Sequence, residues 1–227
     1  SFLPKESKKN VKDWILLAAK RATQMGITTV HDAWQDKIII DAIKELINED
    51  KFPIRCYGML ASNDQSLLNH YFQHGHYNNE YLTIRSVKAF IDGALGSRGA
   101  ALHEPYCDDA HNCGLILISK EEFRELAASC YKYDFQLNTH AIGDRGNTYV
   151  LDHYASAVGE NNDKRWRIEH AQMVSDEDMI KFKKYNIVPS MQPSHCTSDM
   201  HWLPDRLGNK RLKLISRWQS FINLGVK

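Results

Sequence analysis

Residues 119–170 read SKEEFRELAASCYKYDFQLNTHAIGDRGNTYVLDHYASAVGENNDKRWRIEH, and in this stretch two helical patterns alternate with two short strand-like runs. Ser119 and Glu122 form the motif of a capping box, which predicts that a helix begins there. The strand-like runs are residues 135–140 and 166–170. Single strands that alternate with helices indicate a parallel sheet, because each right-handed crossover returns the chain to the same end of the sheet.

The same alternation extends in both directions from this stretch and predicts six βα repeats. The predicted strands are residues 27–30, 52–60, 82–91, 135–140, 166–170 and 187–192. No Pro-, Gly- or Ser-rich linker, charge block or low-complexity tract divides the repeats, so we expect a single domain over residues 1–227.

Two architectures can hold six such repeats. An open doubly wound sheet normally carries a G-x-G-x-x-G turn after its first strand, and this sequence has none. A closed barrel places its working residues at the carboxyl ends of several strands. Polar residues follow that rule at 31–32, 88–92, 140, 170 and 192–195, which favours the barrel.

The two ends of the sequence suggest an incomplete barrel. The first helical pattern has no strand before it, and residues 224–226 repeat the helix-Gly-strand transition of residues 25–27. We therefore expect an α/β fold, a (β/α)8 TIM barrel that lacks its first and last strands.

Composition excludes several classes of protein. The 227 residues are 43% hydrophobic with a formal net charge of +1, which excludes a disordered or fibrous chain. Balanced charge and the lack of a long apolar run argue against nucleic-acid and membrane partners. Five cysteines without a C-x-x-C pair favour reduced thiols and a cytoplasmic location. Eleven histidines invite a search for metal ligands.

His140 and His170 end two successive predicted strands. Adjacent strands lie about 4.8 Å apart, so the two imidazoles can converge on one ion, and neutral imidazole is a common zinc ligand. The alternative is that each histidine simply bonds to a neighbouring loop.

Lys88 lies in an apolar strand, where a buried amine needs an anion, a covalent role or a lowered pKa. The alternative is that its side chain snorkels to solvent.

Four ordered motifs extend these observations: VKAFIDGALGSRGAAL (87–102), NTHAIGD (138–144), RIEHAQ (167–172) and SMQP (190–193). Together they resemble the YtcJ-like branch of the amidohydrolase superfamily, also called amidohydrolase family 3. GITTVHDAW (26–34) and DRLG (205–208) extend the similarity over nearly the whole chain.

The resemblance implies a metallo-dependent hydrolase barrel that cleaves non-peptide carbon-nitrogen bonds through a metal-activated water. His140 and His170 would bind one or two divalent ions, with zinc expected, and Lys88 would carry a bridging carbamate. The family's H-x-H pair and its proton-carrying Asp belong to the two strands that we expect to be missing. No catalytic residue is therefore assigned, and we expect this chain to be inactive by itself.

Other polar residues are candidates for the walls of a substrate pocket. Asp92, Arg98, Gln192 and His195 follow two of the strands, and we assign them to binding a small-molecule substrate, because Arg98 can pair with an acidic group and Gln192 can orient an amide. Asp92 and Arg98 could instead pair with each other and fix their loop.

The remaining histidines have simpler explanations. His74 and His76 form an H-x-H pair, but we expect them in a solvated loop, and His31 is expected in a pocket wall or a structural hydrogen bond. Asp144 is expected to cap the helix after His140.

Two rival functions stay open, together with a homo-oligomer. One is a non-catalytic truncated barrel that serves as a binding or assembly module, since unpaired sheet edges seek partners. The other is a metal-independent lyase with Lys88 as its Schiff-base amine.

Overall fold

The computed structural model describes residues 7–227, which divide into two compact units. The first unit ends at Lys88, and the second comprises Ala89–Lys227. The single domain expected over residues 1–227 stays a prediction.

The first unit alternates helices with strands. Its elements are α1 (Lys8–Gln24), β1 (Thr29–Gln35), α2 (Lys37–Asn48), β2 (Arg55–Ala61), α3 (Gln65–His74), β3 (Tyr77–Asn78) and β4 (Leu82–Phe90), whose last two residues belong to the second unit. β1 pairs with β2 and β2 with β4, both in parallel, whereas the short β3 pairs antiparallel to β4.

Local capping and apolar burial explain the helix α2. Its N-cap residue Asp36 accepts a hydrogen bond from the amide of Ile39 (3.0 Å), which satisfies one of the unpaired amides at the helix start. One face of the helix then buries Ile40, Ala42, Ile43 and Leu46. This face supplies part of the unit's apolar core.

The second unit continues the alternation. Its elements are α4 (Lys120–Lys132), β5 (Gln136–Ala141), α5 (Asp144–Val158), β6 (Arg167–His170), α6 (Asp176–Lys184), β7 (Val188–Ser190), α7 (Ser194–Asp199), α8 (Leu203–Arg211), a 3-10 turn (Leu212–Leu214) and α9 (Trp218–Asn223). β5, β6 and β7 pair in parallel, with His140 opposite Glu169 and Ile168 opposite Pro189.

Buried aromatic side chains lock β5 to β6. The hydroxyl of Tyr154 donates to the carbonyls of Leu137 (3.0 Å) and Arg167 (3.2 Å), and Trp166 donates its indole N–H to the carbonyl of Phe135 (3.1 Å). Both aromatic side chains are fully buried. Each buried polar atom thus has a partner while its ring fills the core.

The capping box is confirmed at the start of α4. The hydroxyl of Ser119 accepts from the amide of Glu122, and the Glu122 carboxylate accepts from the amide of Ser119. Ser175 likewise caps α6 by accepting from the amide of Asp178 (3.1 Å). By contrast, Gly143 and not Asp144 is the N-cap residue of α5, so that expectation was wrong.

The first predicted strand was displaced. The amide of Ile27 still bonds to the carbonyl of Ala22 (3.0 Å), and Gly26 has a φ of 76°. Ile27 therefore belongs to the turn that ends α1, and β1 begins two residues later and runs to Gln35. His31 consequently lies inside a strand rather than at its end.

The C-terminal segment also differs from the prediction. Leu212, Ile215 and Phe221 have the spacing of one apolar helix face, which predicts a single helix, but the chain forms a 3-10 turn, a break and α9. At the break, the amide of Ser216 bonds to the carbonyl of Gln172 (2.9 Å), with a φ of 52° at Ser216. Residues 224–227 form no strand.

Other differences are smaller. The sequence did not predict β3. The expected strand 187–192 is only Val188–Ser190, because α7 begins at Ser194. His74 is the last residue of α3 rather than part of a loop, although it and His76 are solvent-exposed as expected. Over residues 7–227, no helix is long and apolar enough to span a bilayer.

Candidate metal centre

Two imidazoles meet in the second unit, at the carboxyl ends of β5 and β6. The ring centroids of His140 and His170 lie 4.6 Å apart with an interplanar angle of 72°. His140 is 8% exposed, and the ring of Phe90 lies 5.2 Å from its ring. The structure therefore brings together two of the three residues that the sequence assigned to a metal.

Strand alternation alone does not produce this meeting. In the register of β5 and β6, His140 lies opposite Glu169 and His170 lies opposite Ala141, so a regular strand would place the two histidines on opposite faces. His170 and Ala171 have φ values of 77° and 41°. A left-handed backbone is unfavourable for residues other than glycine and re-aims the side chain of His170.

A backbone carbonyl and a carboxylate orient the ring of His140. Its Nε2 lies 3.2 Å from the carbonyl oxygen of Gly93 and 3.4 Å from Oδ1 of Asp92. Because a carbonyl can only accept, Nε2 carries the proton. A neutral His140 therefore has its lone pair on Nδ1.

A side-chain amide orients the ring of His170. Nδ1 of His170 lies 2.6 Å from Oε1 of Gln192, and Nε2 of Gln192 donates to the carbonyl of Ser190 (3.0 Å). The second bond fixes which end of the amide faces His170. Nδ1 of the neutral imidazole therefore donates, and the lone pair is on Nε2.

These two histidines fit a divalent metal. Metal-binding histidines usually donate the other ring N–H to a carbonyl or carboxylate, as His140 does; His170 donates its Nδ1–H to the amide oxygen of Gln192. Within residues 7–227, however, no group of three or more His, Cys, Asp or Glu side chains is arranged to hold a metal. The histidine pair is thus a partial ligand set.

Asp92 is a structural clamp beside the pair. Its carboxylate is 1% exposed and accepts from three backbone amides, those of Ala101 (2.9 Å), Ile142 (3.0 Å) and Gly143 (2.9 Å). Two of these amides lie two and three residues after His140. The carboxylate therefore fixes the chain that leaves β5; its assignment to substrate binding stays a prediction.

The pairing of Asp92 with Arg98 that the sequence left open is not formed. Arg98 instead binds Asp108 through Nε (3.1 Å) and Nη2 (2.9 Å), and Arg206 binds the same carboxylate. The reason is that the buried carboxylate of Asp92 already accepts hydrogen bonds from backbone amides, whereas the carboxylate of Asp108 is partly exposed and pairs with Arg98. The guanidinium of Arg98 remains half-buried, and its binding of substrate stays a prediction.

His195 extends the row of imidazoles. It lies in α7, and its ring stacks on His170 with the centroids 5.5 Å apart and an interplanar angle of 24°. The predicted residues Gln192 and His195 thus both contact His170, one through a hydrogen bond and one through its ring.

Lys88 is the last residue of the first unit. It is 3% exposed, its Cα pairs with that of Ala61, and its carbonyl accepts from the amide of Ser62 (3.0 Å). Its burial argues against the snorkelling side chain considered from the sequence. Its assignment as a metal ligand stays a prediction.

His31 lines a cavity of about 310 Å³ in the first unit, as one of its expected roles required. The centroid of its ring lies 4.8 Å from that of Tyr57, with the two rings tilted by 33°. Asp32 and Cys56 line the same cavity, and burial raises the pKa of the Asp32 carboxyl above its usual range. Burial, helped by the nearby Asp32 charge, also raises the pKa of the Cys56 thiol to about 12.

Sequence analysis missed one residue that organises this site. Asn147 in α5 is fully buried, and its Nδ2 lies within 3.4 Å of four carbonyl oxygens. These belong to residues 141–143, which follow His140, and to Met173, which follows His170. A polar residue on the otherwise apolar face of the α5 pattern was the available signal.

A family model supplies the decisive comparison. The model described as "Amidohydrolase family" matches residues 1–227. This chain belongs to the amidohydrolase family. The sequence resemblance to that family is therefore confirmed.

Curated relatives agree with this assignment. The chain is 33% identical over 93% of its length to "Protein LONG AFTER FAR-RED 3" of Arabidopsis thaliana. It is 27% identical over 99% of its length to "Putative amidohydrolase YtcJ" of Bacillus subtilis. It spans only 39% and 42% of these two proteins.

Solved structures agree on the fold. Uncharacterized metal-dependent hydrolases from Pyrococcus horikoshii and Pyrococcus furiosus each match with a TM-score of 0.86, at 25% and 27% identity. The matches cover 96% and 97% of this chain and 44% and 46% of those chains. The expected fold class, an incomplete (β/α)8 barrel of the metallo-dependent hydrolase type, is confirmed.

Proposed function

We propose that His140 and His170 form part of the metal centre of a hydrolase that acts on carbon-nitrogen bonds in a small, amide-like molecule. The observation that carries the proposal is the meeting of the two imidazoles, 4.6 Å between centroids, with each ring oriented by an acceptor on one nitrogen. Membership of the amidohydrolase family supports the class of reaction.

The protein's own part in this chemistry is to hold and orient. A bound divalent ion would acidify a water molecule and polarise the substrate carbonyl. His140 would present Nδ1 to the ion, while its Nε2–H faces the carbonyl of Gly93 and the carboxylate of Asp92. His170 would present Nε2, while its Nδ1–H donates to the amide oxygen of Gln192. Imidazole nitrogen suits zinc, and the proposal includes one or two zinc ions.

Lys88 enters the proposal through the family motif and its burial. Burial disfavours the charged form of an amine, and a neutral amine can attack carbon dioxide to give a carbamate with release of one proton. The carbamate would contribute two anionic oxygens as metal ligands. Lys88 is therefore proposed as a third ligand.

Asp92, Arg98, Gln192 and His195 stay proposed as residues around the substrate. The partner is a small molecule, the compartment is the cytoplasm, and the 227-residue chain is proposed to be inactive alone, since no residue in it is assigned to protonate the leaving nitrogen.

Metal binding by the purified chain tests the proposal. Zn²⁺ and Co²⁺ are added to wild type and to His140→Ala, His170→Ala and His74→Ala, and binding is measured by equilibrium dialysis and by the visible spectrum of Co²⁺. His74 is a matched control because it is exposed and contacts His70 on the preceding turn of its own helix, through its ring and through a hydrogen bond from Nδ1 to the carbonyl. We expect the affinity for the metal to fall at least about tenfold in His140→Ala and in His170→Ala, but not in His74→Ala.

Equal binding by all four proteins would overturn the metal centre. The absence of any binding by wild type would favour the rival function, a non-catalytic binding or assembly module. Trapping of a carbonyl compound on Lys88 by borohydride would favour the lyase.

A further inference from the structure

We propose that Gln192 is a positioning residue that fixes the tautomer and the direction of His170. This inference rests on the proposed function, because the nitrogen that Gln192 leaves with a lone pair is the one that would face a metal ion.

The contact is short and uses the acceptor end of the amide. Oε1 of Gln192 lies 2.6 Å from Nδ1 of His170. An amide oxygen only accepts, so Nδ1 of His170 must hold the proton. Of the two neutral tautomers, this contact therefore selects the one with its lone pair on Nε2.

A second bond prevents the amide from turning over. Nε2 of Gln192 donates to the carbonyl of Ser190 at 3.0 Å, and a carbonyl cannot bond to the oxygen end of the amide. Reversal would bring two acceptors together at Ser190 and leave the amide without this bond. Gln192, in the short segment between β7 and α7, thus presents a fixed acceptor oxygen to Nδ1 of His170.

The backbone of His170 makes such a restraint necessary. The φ values of 77° at His170 and 41° at Ala171 are unfavourable for residues with a Cβ and persist only where the surroundings hold them. His170 is also the last residue of β6: its pairing with Ala141 ends the ladder to β5, and the ladder to β7 already ends at Glu169. The bond to Gln192 joins the side chain to the segment that follows β7, the next strand of the sheet.

The ring of His195 limits the remaining freedom of the imidazole. It stacks on His170 with the centroids 5.5 Å apart, and His195 follows Gln192 by three residues. The same short segment therefore restrains one face of the imidazole and one of its nitrogens. Gln192 supplies the part of this restraint that distinguishes the two nitrogens.

The test compares two substitutions of Gln192 with a matched control. Gln192→Met has a similar length and no strong acceptor, whereas Gln192→Glu keeps an acceptor oxygen. Gln219→Met is the control, because Gln219 is exposed on α9 and its amide donates to Asn223 of its own helix. The chain is labelled with ¹⁵N-histidine, and long-range ¹H–¹⁵N spectra report the tautomer of His170 without metal.

We expect wild type, Gln192→Glu and Gln219→Met to show His170 protonated on Nδ1, and Gln192→Met to show a mixture of tautomers. Zn²⁺ affinity, measured by calorimetry with the metal alone, should fall about 10- to 100-fold in Gln192→Met and be retained in Gln192→Glu. A general packing defect would lower affinity in both variants and would not change the tautomer.

Two outcomes would overturn the assignment. One is a His170 tautomer in Gln192→Met that is unchanged from wild type; the other is a changed tautomer with unchanged Zn²⁺ affinity. If the tautomer shifts but wild type binds no Zn²⁺, the Gln192 contact is supported and the proposed metal centre alone fails.

Discussion

Oδ1 of Asp92 and Nε2 of His140 lie 3.4 Å apart, although Asp92 also accepts hydrogen bonds from three backbone amides. A single buried carboxylate thus determines both the path of the loop after β5 and the environment of one candidate ligand. The loop and the imidazole cannot be altered independently through this residue.

Asp92→Asn should therefore destabilise the protein. The new NH2 group must face at least one of the amides of Ala101, Ile142 and Gly143, so buried donors lose their acceptor. We expect the free energy of unfolding in urea to fall by at least about 2 kcal/mol. Asp13→Asn, at an exposed position of α1, is the control; a change below about 0.5 kcal/mol at Asp92 would contradict the clamp.

Gly146→Ala should also destabilise, against the usual trend. Alanine replacing glycine within a helix normally gains about 1 kcal/mol. Here the new Cβ would lie 2.5 Å from Oδ2 of Asp92, a short, buried side chain that cannot move aside. We expect a net loss of about 1–3 kcal/mol, measured by urea denaturation.

A double-mutant cycle identifies the cause. Combining Gly146→Ala with Asp92→Ala should abolish most of the glycine penalty, because the colliding carboxylate is absent. If the effects of Gly146→Ala and Asp92→Ala on the free energy of unfolding simply add, the cost of the alanine does not come from a collision with Asp92.

The pH dependence of stability should reveal the buried Asp32. Burial raises the pKa of its carboxyl, so the folded chain binds more protons than the unfolded chain between the ordinary Asp pKa of about 4 and the raised folded value. The free energy of unfolding therefore falls as pH rises through this interval. Asp32→Asn has no proton to lose at this position. The free energy of unfolding of the variant minus that of wild type should therefore be greater at pH 7 than at pH 4.

Unfolding curves at several pH values check this difference. The amide oxygen of the variant can still accept from Gln35, which bonds Asp32 at 3.0 Å in the wild type. Asp13→Asn is again the control and should show no such trend. A wild-type minus variant difference that is independent of pH would refute a raised pKa at Asp32.

The cysteines should react in two groups with a thiol reagent at pH 8. Cys107 and Cys196 are exposed, whereas Cys56 and Cys130 are buried, and burial raises the pKa of both buried thiols. Since the thiolate is the nucleophile, we expect fast labelling of the exposed pair and labelling of the buried pair only on unfolding. Cys107→Ser and Cys196→Ser should each remove one fast equivalent; fast modification of Cys56, detected by peptide mapping, would contradict the burial.

The sequence predicted the features that depend on short-range pattern. Apolar periodicity identified the six parallel strands, and the Ser119–Glu122 motif located the start of α4, because both signals are local. The pattern also placed His140 and His170 at the ends of neighbouring strands, but their rings meet only through the left-handed backbone at His170, which no local pattern predicts.

Other features depend on contacts between segments that have no common period. Arg98 binds Asp108 across an irregular loop, and Gln192 turns toward His170 because the carbonyl of Ser190 receives its amide. The bond from the amide of Ser216 to the carbonyl of Gln172 interrupts the C-terminal helical segment. Apolar residues at helical spacing do not predict this bond. Such contacts are set by the tertiary structure.

Asn147 has a consequence for the rigidity of the candidate centre. One side-chain amide holds the carbonyls after both histidine-bearing strands, so the two strand ends move together with α5. Their conformational entropy is lost when the chain folds and not when a ligand arrives. The imidazoles are therefore preorganised, and a bound ion would meet two donors whose separation is already determined by a helix behind them.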